Sequence, residues 1–552
     1  MLLTGADIIV KTLIEQGANL VFGYPGGQII DVYDSLYKYS DEITHILTAH
    51  EQGAVHAADG YARTTGRVGV VMATSGPGAT NLVTGIATAH LDSVPLVAIC
   101  GNVPSYQLGT DSFQEIDITG ITLPITKHNY IVGSVDKLAD TIREAFRIAK
   151  SGRPGPVLID VPKDVQIATC EYEPQEPVCA DEKVVCDDVS EAVKSIKRSK
   201  RPYIYYGGGA VISGAEKEII ELSELIDAPI GCSLMGISAI PSEYPGFLGM
   251  QGMHGHYASS KAMNEADLII ALGVRFSDRA TGDRRKFADK TEIIHIDVDN
   301  AEFFKNIYET HCLKGDIKLT LRNIISKLSK KERPAWKKKI ESFRAFEEAH
   351  ADTRPGMTPF NILNMLNGFI NENTPVVTDV GQHQMWTAQT VKFSKTRRFV
   401  TSGGLGTMGF GLGAAIGAQM GTGERTVLVT GDGSFGMSLN ELATAVTNKV
   451  PIVILIMNNG VLGMVRQWQT MFFDRHYSNT VLDRETDFIA VAKAFGADGL
   501  RVRSIEELEI ALKKAFSVNG TFVIDCAVDK DELVLPMLPA GGSVDDIIMK
   551  KE

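Results

Sequence analysis

The segment from Thr426 to Asn459 constrains this chain more than any other. Thr426 to Thr430 is a β-branched and apolar run, Gly431-Asp432-Gly433-Ser434 is turn chemistry, and Ser438 to Lys449 has helical spacing. Ile452 to Met457 is a second β run, ended by Asn458-Asn459. Strand, helix and strand in that order make a βαβ crossover, whose right-handed form sets the two strands side by side. Asp432 and Asn459 are therefore expected at neighbouring carboxyl ends of parallel strands, where open α/β sheets bind ligands. A carboxylate, an amide oxygen and nearby carbonyls are hard donors suited to Mg²⁺, which takes its remaining ligands from water or phosphate. The glycines let the backbone approach a diphosphate, and the following helix offers N–H groups to the anion. Either dipeptide alone reads as a plain turn; their conjunction in one crossover favours the metal reading.

The same alternation of short β runs and helical patterns extends over most of the 552 residues, a length that calls for about three domains. Residues 1–165 form the first unit, with strands at Val68 to Ala73 and Pro95 to Cys100 and no leader before a helical pattern at Gly5. Periodicity fails over 166–189, which reads as a linker. The second unit, 190–329, opens with the strand Pro202 to Tyr206, then Gly207-Gly208-Gly209 and a helix from Ser213. A charged run over 330–354 reads as a solvated connecting helix. The third unit is 355–552. The expected fold class is α/β, three doubly wound parallel-sheet domains. Whether the first and third share one topology is not visible in their residues.

A net charge of −12, with no basic stripe, argues against a nucleic-acid partner and for a small-molecule substrate. The longest apolar runs are strand-sized, so no membrane span is expected. The seven cysteines are scattered and never form Cys-x-x-Cys, which disfavours zinc and disulfides and suits a reducing, cytoplasmic setting.

Gly-Asp-Gly followed one crossover later by Asn-Asn resembles the signature of thiamine-diphosphate enzymes. The resemblance implies metal ligation by Asp432, Asn459 and the Val461 carbonyl. It also implies an activating glutamate that hydrogen-bonds the cofactor's aminopyrimidine, tuning electronics that the cofactor itself carries. Glu51, in His50-Glu51-Gln52-Gly53-Ala54, is the match. Gly23-Tyr24-Pro25-Gly26-Gly27 before it and Ser75-Gly76-Pro77-Gly78-Ala79-Thr80-Asn81 after it stand at family-like positions. In that family the glutamate and the metal site come from different chains, so a homodimer or tetramer with the site at its interface is implied.

Within the family the chain is similar to acetohydroxyacid (acetolactate) synthase catalytic subunits over nearly its whole length. Gly381-Gln382-His383 resembles the diphosphate-side loop, and Gly404 to Gly409 the thiazole-side segment, in which Met408 would bend the cofactor and Gly406 line it. Gly431, Gly433, Ser434 and Met464 complete the implied thiamine set. Trp468, in Leu462 to Gln469, matches the residue that selects the second keto acid. Arg279 matches the arginine that grips that acid's carboxylate, for which a planar fork of donors is the natural partner. Gly27, Phe113, Gln114 and Lys163 match residues lining the same pocket. Arg153, Gly208, His254, Arg275, Asp297 and Asp316 lie in stretches resembling the family's flavin contacts, which implies a structural FAD. The pyrimidine-binding, central flavin-type and diphosphate-binding domains would then be the three units in order.

The implied reaction is decarboxylation of pyruvate and transfer of the hydroxyethyl carbanion to a second 2-keto acid, giving 2-acetolactate or 2-aceto-2-hydroxybutyrate for branched-chain amino-acid biosynthesis. Near Gly27, backbone N–H groups would steady the developing alkoxide, and the tail Pro536 to Pro539 would help close the site. No effector domain is expected after the third unit, so feedback would need a separate regulatory small subunit. Four positions depart from the pattern: Gln28 for a small residue, Ser277 for an acid, His256 for a hydroxyl residue and Gly436 for a glutamine. Alternatives are a thiamine-dependent decarboxylase, acyl transferase or carbon–carbon hydrolase with another acceptor, a non-catalytic homologue, and a nucleotide-binding oxidoreductase.

Overall fold

The computed structural model describes residues 1–283, 287, 291–539 and 541–550. Three six-stranded sheets, each wholly parallel, carry the chain. Their central strands are buried on both faces and read as continuous apolar runs, as in Leu268–Leu272 and Ile452–Asn458. Helices cover both sides of each sheet, so the expected α/β class holds.

Numbered within each unit, the strands of the first sheet run 2-1-3-4-6-5, and those of the third run 2-1-3-4-6-5 as well. The two units thus share a topology that their residues did not reveal. In both, the order reverses between strands 1 and 3, and a crevice opens at the carboxyl ends there. In the first unit that point lies between Leu20–Gly23 and Gly69–Ala73; in the third it lies between Val376–Thr378 and Thr426–Gly431. The central sheet has the order 3-2-1-4-5-6, the arrangement of dinucleotide-binding folds. Its crevice falls between Pro202–Tyr206 and Leu268–Leu272, beside Gly207 and Gly273.

The helix after strand 2 of the first unit, Glu51–Thr65, packs along its counterpart in the third, Gly411–Thr422. Only small residues permit this approach. A Cβ on Gly60 would lie 2.1 Å from the Ala414 carbonyl oxygen, and one on Gly417 would lie 1.8 Å from that of Ala57. Below them, Asp59, Arg63 and Asp92 form a buried ion cluster, and Arg63 Nη1 donates to the Thr401 carbonyl at 2.9 Å.

Several local expectations change. Thr169–Glu171, inside the expected linker, pairs antiparallel with Leu2–Thr4, so a strand precedes the first helix. The central helix begins at Gly208, directly after the glycine turn, and ends at Ser213. The crossover helix of the third unit starts at Asp432, runs to Ser438, turns through Leu439–Glu441 and resumes at Leu442–Thr447. The charged run holds the helix Pro334–Ala349, but it is not solvated all round: Trp336, Ile340 and Phe343 are buried in the central unit's core. No helix among the described residues is long and apolar enough to cross a membrane.

Candidate active site

Strand Thr426–Gly431 delivers Asp432 to a helix start, where a carboxylate complements the positive end of the helix. Its carboxyl is buried, and burial pushes it up to about 6 against the downward pull of nearby backbone N–H groups, those of Asn459, Gly433 and Gly460 among them. The neighbouring strand ends at Asn458, so Asn459 stands beside Asp432 as the crossover requires. Asn459 Oδ1 accepts the Val461 N–H at 3.1 Å, which holds two of the three expected oxygen donors in one turn beside the strand end that carries Asp432.

The loop after strand 1 of this unit closes the other side. His383 is buried against Gly431, where a Cβ would lie 2.9 Å from His383 Nδ1. Burial lowers its imidazole to about 3, and Nε2 has no partner. Ser434 Oγ donates to the Val380 carbonyl at 2.9 Å. Gln382 braces the turn rather than facing the diphosphate side: its Nε2 donates to Gln467 Oε1 and to the Glu532 carbonyl, and its Oε1 accepts from Asn459 Nδ2 at 3.4 Å. Among the described residues no cluster of three His, Cys, Asp or Glu could hold a metal. One carboxylate, one amide oxygen and a backbone carbonyl at Asp432, Asn459 and Val461 are hard donors that fit an ion completed by phosphate oxygens, and His383 Nε2, without a partner among the described residues, fits the phosphate.

Sequence reading missed Asp379, at the end of strand 1. Fully buried and pushed up to about 6 by that burial, it accepts N–H groups of Val380, Gly409 and Gly411 and so ties down the Met408 loop. It also missed Asp92, which accepts Gly403 N–H at 3.0 Å and Gly404 N–H at 2.7 Å from the first unit. An aspartate at a strand's carboxyl end was a usable signal for the first; nothing local marks the second.

In the first unit Glu51 opens its helix, with His50 Nδ1 accepting the Gln52 N–H as a cap. Asn81 Nδ2 donates to Glu51 Oε2 at 2.9 Å. Glu441 reaches in from the third unit: it accepts the Ala49 N–H at 3.2 Å and occupies the space a Cβ on Gly53 would need. Lys163 Nζ donates to the Gly27 carbonyl at 3.0 Å and pairs with Asp31. Gln114, with φ 60°, presses its carbonyl on Gly76, and Phe113 is 84% exposed.

A cavity of about 920 Å³, inside the range of cofactor pockets, runs among all three units, with Arg63, Asp92 and Arg153 contributed by the first. Gly208, His254, Arg275 and Asp297 line its central-unit side together with Arg153 and Asp316. Gly381, Gly406, Met408, Met464 and Trp468 line its other side, with Arg279 between. Glu51, Gly27, Lys163 and Gln114 line none of it. One chain thus carries two separate clusters, not one assembled site. In the cavity, Gly209 and Gly273 touch through their backbones, and His254 is buried with Nδ1 unpartnered. These features fit a dinucleotide. Arg153 is less free than expected, since Nη1 donates to Glu302 at 2.5 Å; Asp316 caps the helix Ile317–Ile325 and pairs with Lys183.

Two switch-point crevices of one strand order, one holding the Glu51 carboxylate and the other the Gly431-Asp432-Gly433 turn, are the plan of a thiamine-dependent enzyme. The chain belongs to the thiamine pyrophosphate enzyme family: residues 3–121 match its N-terminal TPP binding domain, 189–324 its central domain and 379–526 its C-terminal TPP binding domain. Within it, the chain is similar to acetolactate synthase large subunits. It is 43% identical to a probable acetolactate synthase large subunit of Methanocaldococcus jannaschii, covering 99% of this chain and 95% of that one. It is 42% identical to the acetolactate synthase isozyme 2 large subunit of Escherichia coli, covering 99% and 100%. The Corynebacterium glutamicum acetolactate synthase large subunit is 43% identical, covering 99% and 90%.

Proposed function

We propose that the chain is a thiamine-diphosphate-dependent acetolactate synthase catalytic subunit that condenses two 2-keto acids with loss of carbon dioxide. The observation that carries this reading is the convergence of Arg279 and Trp468, from different units, on the cavity that also holds Met408 and Gly406. A decarboxylase that merely protonates its product needs no second carboxylate grip beside the cofactor.

Asp432, Asn459 and the Val461 carbonyl would hold Mg²⁺, with Gly381, His383 and Ser434 around the diphosphate. When bound, thiamine diphosphate supplies the carbon nucleophile and the electron sink that decarboxylation requires. Glu51 keeps Oε1 for the pyrimidine ring, because Asn81 already occupies Oε2. Arg279 binds the carboxylate of the second keto acid through paired N–H groups, and Trp468 limits the bulk beside it. Lys163 orients the Gly27 segment, whose exposed backbone would face the reacting carbonyl, and Met408 would exclude water from beside the bound cofactor. Asp379, fully buried, fixes the Met408 loop from within the third unit, and Asp92 fixes its Gly403-Gly404 end from the first.

Glu51 and its neighbours lie off the cavity of their own chain, so a second copy brings them to it. Gly208, His254, Arg275 and Asp297 would hold FAD in the central crevice, in a structural role, since the net reaction needs no redox step. A regulatory small subunit is the expected further partner, as the relatives' designation as large subunits suggests. The test is product analysis from pyruvate with Mg²⁺ and thiamine diphosphate. Acetolactate formation that collapses in Glu51→Gln supports the proposal; acetaldehyde as sole product refutes it.

A further inference from the structure

Gln166 stands where the helical and strand periodicity of the first unit gives out, yet its side chain is fully buried. It belongs to the short helix Lys163–Ile167. Its Nε2 donates to two carbonyls, those of Gln28 and Val161, each at 2.8 Å. The first directly follows Gly27, and the second lies just before Pro162-Lys163. Lys163 Nζ closes the ring on the Gly27 carbonyl. The peptide at residue 28 is held on two more sides. Gln28 N–H donates to Thr74 Oγ1 at 3.2 Å, and its carbonyl oxygen lies where a Cβ on Gly101 would approach to 2.1 Å. Gln166 Oε1 has no partner among the described residues. A buried amide oxygen left unpaired is costly, so packing alone is a poor reason for glutamine here.

We propose that Gln166 is a positioning residue for Gly27 and Lys163, stapling the two segments that carry them at a fixed separation. The inference rests on the proposed place of those two residues beside the reacting carbonyl. Glutamine suits the task because both N–H groups of one nitrogen reach two carbonyl acceptors. Glutamate would set acceptor against acceptor, and methionine would keep the shape without a donor.

The test uses the full chain with Mg²⁺ and thiamine diphosphate, at a temperature where circular dichroism shows the variants folded. Gln166→Met is expected to lower kcat by about 10²-fold, the cost of a misplacement near 1 Å, while thiamine diphosphate affinity is retained. Combined with Lys163→Ala, the loss should fall short of the product of the single losses, because both act on one segment. A crystal structure of Gln166→Met should show the Lys163 to Gly27 contact broken. Wild-type kcat with only a lowered melting temperature would overturn the proposal, as would an unchanged Lys163 to Gly27 contact. If Gln166→Met does not fold, Gln166→Asn, one methylene short, is read the same way. A wild-type enzyme that forms no acetolactate defeats the functional reading, and the crystallographic comparison still decides the staple.

Discussion

The guanidinium carbon of Arg279 lies 5.8 Å from the ring centre of Trp468, although one residue belongs to the central unit and the other to the third. Their helices, Asp278–Thr281 and Gly463–Phe472, meet at the mouth of the main cavity. The Arg279 side chain is 63% exposed, and among the described residues the carboxylate recorded beside it is that of Asp278, at 3.7 Å, which leaves its fork of donors open to an incoming carboxylate.

Substitution of that pair should separate grip from selection. Arg279→Lys keeps the charge and loses the fork; with charged hydrogen bonds contributing ~1.5–3 kcal/mol, KM for pyruvate should rise about tenfold or more. Trp468→Leu should instead change the product ratio when pyruvate and 2-ketobutyrate compete. Steady-state kinetics and product chromatography read the two effects independently.

Metal removal should silence the enzyme reversibly. Chelation is expected to abolish acetolactate formation, and Mg²⁺ to restore it. Asp432→Asn should lose Mg²⁺-dependent binding of thiamine diphosphate in calorimetric titration. Its metal-free melting temperature near neutral pH should nonetheless match or exceed the parent's, because the variant removes a buried carboxyl that burial already pushes up to about 6.

The crossing of Glu51–Thr65 with Gly411–Thr422 should tolerate no added methyl. In Gly417→Ala the new Cβ would meet the Ala57 backbone at 1.8 Å, and backbone cannot step aside as a side chain can. A loss of about 1–3 kcal/mol or more is expected from overpacking, measured by denaturant unfolding. Gly520→Ala, with nothing within 4 Å, is the control and should be near neutral.

Asp160 should impose a pH dependence on stability. Burial pushes its carboxyl up to about 7, against the downward pull of Asn102, whose Nδ2 donates to Oδ2 at 2.6 Å. In the unfolded chain an aspartate ionises near 3.9. Between about 4 and 7 the folded protein holds a proton that the unfolded chain has released, so this group's contribution falls as pH rises across that window. Asp160→Asn should flatten the melting curve between about pH 4 and 7 and raise the melting temperature above it. Thermal scans of both proteins across that range give the answer.

Much of the site was legible because its signals are local. Gly431-Asp432-Gly433 and Asn458-Asn459 lie within one crossover, and a right-handed βαβ unit leaves little freedom in where its strand ends fall. Glu51 was legible as a helix opening between two glycine-rich turns. Gln166 was not, because polar residues after a strand read as linker until the carbonyls they serve are brought to them. Asp92 and Glu441 escaped for the same reason: each acts on backbone groups hundreds of positions away.

Residue order alone determined the α/β class, the place of Asp432 and Asn459 at neighbouring strand ends, and the small-molecule character of the substrate, since all three depend on side-chain type and short-range spacing. Tertiary structure alone decided that the first and third sheets share one strand order, that Arg279 meets Trp468, and that Glu51 sits apart from the cavity of its own chain. Strand order and contacts between units arise from pairing over long sequence separations, and such pairing leaves no periodic trace in the chain that makes it.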